Sequence, residues 1–346
     1  MLTPSMPEPS RHNITFSLRA MSKADVMDVV GLIRDSYGDS YFYKQFYDPR
    51  EIIHANQCGR LTSVVAVTGD NQLIGHMALL RTEDDPQIVE PVMAVVKTGF
   101  RNGGVLTGLA EYLYINRNPE LFEEVKGIYI PPVTKHIFSQ RQVYNHGFKD
   151  CGIWLGYLPD AQFKEINVSP LQRLTLVLTY MYLEQPGSII IYPPPRHKEM
   201  IAKLFKNIGV PYVQCRLLPK DLQNYFHTES LLKVKVSNAL GQAILKIIHY
   251  GPHVISEIHT KINELSQRNL SVIHLYLSLN NPLTGYLTPE FEKMGFFFAG
   301  IMPGTACNDT LILQYLNNTA VNYDKILLFS AMAQEILGYI IAKRNL

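Results

Sequence analysis

The chain has 346 residues, of which 47% are hydrophobic and 18% charged. That excludes bulk disorder and suggests about two domains. Thirty-two Lys and Arg against 30 Asp and Glu leave a net charge of +2, which argues against nucleic acid as a partner. No apolar run reaches the roughly 18 to 20 residues of a membrane span, so no membrane partner is expected.

Residues 1–12 lack an apolar core segment and read as a flexible polar tail, which makes a cytoplasmic location the expectation. A strand is expected over 14–18 and a helix over 23–37, with Ser22 as its cap. The aromatic stretch SYFYKQFYDP leads into a helix over 49–56, with Pro49 in its first turn. Strands over 62–68 and 72–80 flank Gly69-Asp70-Asn71, a hairpin connection. A strand over 89–97 is apolar on both faces, as a covered central strand is. TGFRNGG and a helix over 105–116 follow it. The next elements are a strand over 127–131, a helix over 135–145 and strands over 151–158 and 174–182, with a loop over 160–170.

Pro186-Gly187 punctuates the chain, dividing it into expected domains 13–183 and 188–346. The second half reads as a strand over 189–192, helix 198–207, strand 212–217 and a short helix near 220–226. Strands over 231–237 and 242–249, helix 253–267, strand 272–277, helix 287–294, strand 311–315 and an amphipathic helix 331–343 complete it. Each half carries a Gly-Phe pair before a late strand, Gly147-Phe148 and Gly295-Phe296. The halves therefore read as a tandem repeat of one mixed α/β unit. Cys58, Cys151, Cys215 and Cys307 are far apart without metal-ligand spacing, so reduced thiols and no metal are expected.

The segment VMAVVKTGFRNGGVLTGL, 92–109, carries most of the chemistry. A buried strand opens into a glycine-rich turn and a helix, whose first N–H groups lack intrahelical acceptors and meet the positive end of the dipole. Gly103 and Gly104 let an anion approach the backbone, and Arg101 adds a full charge. A pyrophosphate suits such a corner.

In this order of elements, residues 13–182 resemble the GNAT superfamily of acetyl-CoA-dependent N-acetyltransferases. Val96, Phe100, Arg101 and Gly104 match its strand-to-helix motif, while Thr98 and Leu106 replace a Pro and a small residue. The resemblance implies a mixed central sheet flanked by helices. It also implies acetyl-CoA as acyl donor, held by Ala94, Val95, Val96, Arg101, Asn102, Gly103, Gly104, Val105 and Leu106, with backbone N–H groups near 94–96 polarising the thioester. Gly147-Phe148 match the second signature. Val143 stands where the family's tyrosine acid is found, leaving Tyr144, one place on, as the fallback acid. Glu90 falls where several branches carry a carboxylate base, and alternation puts it on one face with Val92, Ala94 and Val96. Tyr41, Tyr43 and His76 are the candidate acceptor contacts, the two tyrosines from the segment that the resemblance assigns to acceptor recognition.

The second half lacks the phosphate motif. Its corresponding turn reads HYGPH, with Pro252 where a donor N–H is wanted, so it is expected to be a degenerate copy. The leading expectation is transfer of acetyl from acetyl-CoA to a primary amine, on a small molecule or a protein, by direct attack. The alternative is a non-catalytic coenzyme A-binding or protein-interaction module on the same scaffold.

Overall fold

The computed structural model describes residues 15–41, 43–82, 84–115, 122, 124–159 and 172–344. The polar tail 1–12 and the loop 160–170 lie outside the described residues. By compactness the chain forms two units. One comprises Met1–Arg81, Glu90–Glu123 and Gln162–Asn167; the other comprises Thr82–Val89, Glu124–Ala161 and Val168–Leu346.

The first unit begins with β1 (Ser17–Ala20), α1 (Val26–Tyr37) and α2 (Pro49–Gln57). Ahead of α1, Asp25 accepts the Ser22 N–H at 2.7 Å and the Arg19 guanidinium at 2.7 and 2.8 Å. Asp48 caps α2 by accepting the Arg50 N–H at 2.9 Å, and Pro49 loses no bond in the first turn. Strands β2 (Leu61–Val67) and β3 (Leu73–Thr82) form the expected hairpin, with Asn71 at φ +66 in the turn. The sheet runs β1, β2, β3 and then β4 (Asp85–Val96), which begins in the second unit and ends in the first. Val29, Ile33 and Ile52 of the helices bury against Val65, Val92 and Val95. The short α3 (Val105–Ala110) continues as one wide turn over Glu111–Ile115.

In the second unit, β5 (Gly127–Ile130) pairs in parallel with the start of β4. Then come α4 (Phe138–Asn145), β6 (Lys149–Leu158) and β7 (Leu174–Tyr182), in the sheet order β4, β5, β7, β6. After the small parallel pair β8 (Ile189–Ile191) and β9 (Val213–Cys215), which flank α5 (Lys198–Asn207), the pattern recurs. Strands β10 (Leu231–Ser237) and β11 (Gln242–His249) are antiparallel. α6 (Val254–Gln267) leads to β12 (Val272–Ser278), parallel to β11, and α7 (Pro282–Lys293) leads to β13 (Phe297–Thr305) and β14 (Asn308–Leu316). α8 (Ala331–Arg344) closes the chain. The order β13, β14, β12, β11 is that of β6, β7, β5, β4 copied element for element.

The two copies meet where Gly152 of β6 pairs with Gly300 of β13. These glycines stand five residues after Gly147 and Gly295, so equivalent positions face each other. The approach leaves no room for side chains: a Cβ on Gly152 would lie 2.5 Å from the Ala299 carbonyl oxygen, and one on Gly300 would lie 2.4 Å from the Gly152 Cα. The two-unit division thus cuts across the repeat, because β6 and β7 pack with the second copy.

Several expectations shift. α7 starts at Pro282 rather than 287, capped by Asn281, whose side chain accepts the Leu283 N–H at 2.9 Å. β13 is absent from the sequence reading, since two glycines and Pro303 in FFAGIMPGT resemble a loop. β4 starts at Asp85 rather than 89, and Asp85 pairs with Lys246 and accepts the Ala306 N–H at 2.8 Å. Among the described residues no helix is long and apolar enough to cross a membrane.

Candidate functional site

β4 carries a break in its alternation. Val92 and Val95 pack into one core although they stand three positions apart, and Met93 between is buried at φ +51. A flat strand sends those valines to opposite faces, so Met93 is a bulge. The expected shared face of Glu90, Val92, Ala94 and Val96 therefore ends at Met93; past it the order inverts, and Ala94 is exposed.

A left-handed methionine costs about 1–2 kcal/mol. Both of its backbone groups are held by side chains. The Met93 N–H donates to the Tyr41 hydroxyl at 2.7 Å, and the Met93 carbonyl accepts His76 Nδ1–H at 3.1 Å. Two such bonds contribute about 1 kcal/mol each and offset the strain. His76 has no exposed surface, and its Nε2 has no hydrogen-bond partner among the described residues. Burial lowers its pKa to about 4, against the opposing pull of the Met93 carbonyl, so the ring is neutral. Tyr41 is also buried, and burial raises its pKa. Tyr41 and His76 thus form the frame of β4 rather than an exposed acceptor wall.

Tyr43 is half-buried and donates its hydroxyl hydrogen to Glu90 Oε2 at 2.8 Å. Its ring packs at 6.1 Å from Tyr41 and 5.6 Å from Phe46. One aromatic segment therefore touches β4 at Glu90 and at Met93, and the structure brings Tyr41, Tyr43, His76 and Glu90 together.

Beyond Val95 and Val96 the strand ends in a tight corner. Arg101 is exposed, and its Nε donates to the Val96 carbonyl at 3.4 Å. Asn102 and Gly104 take left-handed backbone at φ +65 and +80. Val105 is buried and begins α3, and Leu106 is 37% exposed. Around Gly104 no described atom lies within 4 Å of where a Cβ would stand. Among the described residues the corner is open, and a guanidinium stands beside a helix start whose first N–H groups lack intrahelical acceptors, so the residues present fit a diphosphate.

Tyr144 lies in the second unit. Its hydroxyl donates to Asp150 Oδ1 at 2.6 Å and its ring stacks on Phe329 at 5.7 Å. Burial, then Asp150, raises its pKa; burial raises that of Asp150 as well.

The matching corner of the second copy, between β11 and α6, is closed by its own chain. A Cβ on Gly251 would lie 2.3 Å from the Ser230 nitrogen and 2.6 Å from the Glu229 carbonyl carbon. The Gly251 N–H donates to Ser230 Oγ at 3.1 Å, and Pro252 has no N–H to offer.

The sequence reading missed the bulge and the tie between Tyr144 and Asp150. Only the uninterrupted apolar run Val92-Met93 with Val95 hinted at the former.

No family model and no curated protein matches this sequence. Among solved structures it resembles several acetyltransferases. A GNAT-family acetyltransferase from Staphylococcus aureus Mu50 shares 16% identity over 49% of this chain and 100% of its own, with a TM-score of 0.35. A putative acetyltransferase from Salmonella typhimurium, solved with its cofactor acetyl-CoA, shares 16% over 50% of this chain and 96% of its own, at 0.39. The ribosomal-protein-S18-alanine N-acetyltransferase from Escherichia coli shares 10% over 50% and 97%, also at 0.39.

Proposed function

We propose that this protein binds acetyl-CoA at the corner after β4 and transfers its acetyl group to a primary amine. The observation that carries this is the open turn at Gly104 directly after a bulged strand, with Arg101 beside it. The diphosphate would rest on Asn102, Gly103, Gly104, Val105 and Leu106, with the pantetheine arm along Ala94, Val95 and Val96.

A primary alkylammonium has a pKa of about 10.4 and must lose a proton before it attacks. Glu90, oriented by Tyr43, accepts that proton. The amine nitrogen then bonds to the thioester carbon and the carbon–sulfur bond breaks, while the second proton, which the nitrogen sheds on becoming an amide, passes to the departing sulfur or to water. A thiol with a pKa of about 8.5 leaves as its thiolate without an obligatory acid, so Tyr144, engaged with Asp150, is not required.

The alternative, a coenzyme A-binding module without turnover, is favoured by that engagement of Tyr144 and by the bulk of Leu106 at the corner. Calorimetric titration with acetyl-CoA, followed by thiol release with a panel of primary amines, separates the two. Binding with amine-dependent release is the expected result. Binding without release selects the alternative, and no binding overturns both.

A further inference from the structure

We propose that Tyr41 and His76 are positioning residues which hold β4 in its bulged form and so set the edge of the strand that meets the acyl carrier; this rests on the acetyl-CoA reading above. Met93 is neither Gly nor Asn, and nothing in its side chain favours a left-handed backbone. The conformation persists because its two backbone groups leave the sheet ladder for two side chains from different elements. The Tyr41 hydroxyl accepts the N–H at 2.7 Å, and His76 Nδ1–H donates to the carbonyl at 3.1 Å.

All three residues are buried, so water cannot replace either partner without opening the core. The tautomer is fixed by the same geometry: a bond to a carbonyl requires the proton on Nδ1, and Nε2 has no partner among the described residues. Loss of either partner leaves a buried backbone group unpaired, and the strand regains pairing by flattening. Flattening moves Ala94 and Val95 by one place in the alternation, which turns the exposed Ala94 edge inward. The acceptor segment and the carrier edge are thereby mechanically linked, because Tyr41 stands two residues before Tyr43.

The test uses the full chain, with the calorimetric Kd for acetyl-CoA and the hydrogen-exchange rate of the Met93 amide as separate readouts. Tyr41→Phe and His76→Leu are each expected to weaken acetyl-CoA at least tenfold and to speed Met93 exchange at least tenfold. His76→Asn, whose side-chain N–H stands in for Nδ1–H, is expected to stay within threefold of the unaltered protein on both. Met93→Gly in the Tyr41→Phe background is expected to recover most of the lost affinity, since glycine takes φ +51 without strain. A purely scaffolding role gives lower thermal stability with neither rescue, and that result overturns the proposal. Unchanged Kd and exchange in Tyr41→Phe, a variant lacking only one oxygen, overturn it as well, even if His76→Leu fails to fold. If the unaltered protein does not bind acetyl-CoA, the functional reading fails instead, and the exchange rates alone decide whether Tyr41 and His76 hold the bulge.

Discussion

Gly104 and Gly251 both stand in the strand-to-helix turn of their copy, Gly104 at the cap of α3 and Gly251 two residues before the cap of α6, yet among the described residues one corner is open and the other is filled by the chain itself. Around Gly104 nothing described approaches within 4 Å, whereas the Ser230 nitrogen sits 2.3 Å from where a Cβ on Gly251 would be. Strand order does not separate them. What separates them is a local choice: Arg101 and a turn that keeps its N–H groups on one side, Pro252 and the 226–230 segment on the other. A strand–turn–helix corner is thus only permission to bind an anion, and a neighbouring segment can withdraw it.

The sharpest way to break this contrast is through turnover. Glu90→Gln should lower acetyl transfer at neutral pH on the order of a thousandfold, recovering as pH rises toward the amine pKa of about 10.4. A flat pH–rate profile in that variant removes Glu90 from the reaction and leaves the open corner with binding alone.

The next effect compares the copies without any ligand. His76 of the first unit and His274 of the second are both wholly buried, and burial lowers their pKa values from 6.5 to about 4 and about 3. Between those values and 6.5 the unfolded chain binds a proton that the native state refuses, so each contribution is present above pH 6.5 and is lost as pH falls toward 4 and 3. By pH 5 each loss amounts to about 2 kcal/mol. Denaturant titrations at pH 7 and pH 5 should show the loss, and His274→Phe should shrink it.

Gly251→Ala forces a Cβ against backbone and should cost about 3 kcal/mol in denaturant unfolding without affecting acetyl-CoA affinity. Gly104→Ala meets open space and should cost only about 1 kcal/mol, from its positive φ, while weakening acetyl-CoA. Equal stability losses would mean that the two corners do not differ as described. The smallest effect is electrostatic: Arg101→Ala should raise the acetyl-CoA Kd about tenfold, and less at high salt. Lys246→Ala would give the same loss only if the carrier docked on the second copy.

Much of this was legible from pattern. The bounds of α5, β7, β10 and β11 coincide with their expected ranges, because each carries a clean period between strong breakers. β13 was not legible: its apolar run contains two glycines and a proline, and only the partner at Gly152 explains why Gly300 belongs in a strand. The corner at Arg101–Gly104 was visible because its chemistry is local. The bulge was not, since a methionine announces no left-handed backbone and its supports lie 17 and 52 residues away in sequence. The obstruction at Gly251 was half visible, through Pro252; the covering segment was not.

The Gly152–Gly300 crossing has a temporal consequence. As the chain is synthesised, β6 emerges long before the strand it must meet, and its edge waits while nearly 150 further residues are added. An unpaired edge of that kind is a hazard for a nascent chain, so the first copy should recruit a chaperone during synthesis and should aggregate when severed at Pro186-Gly187.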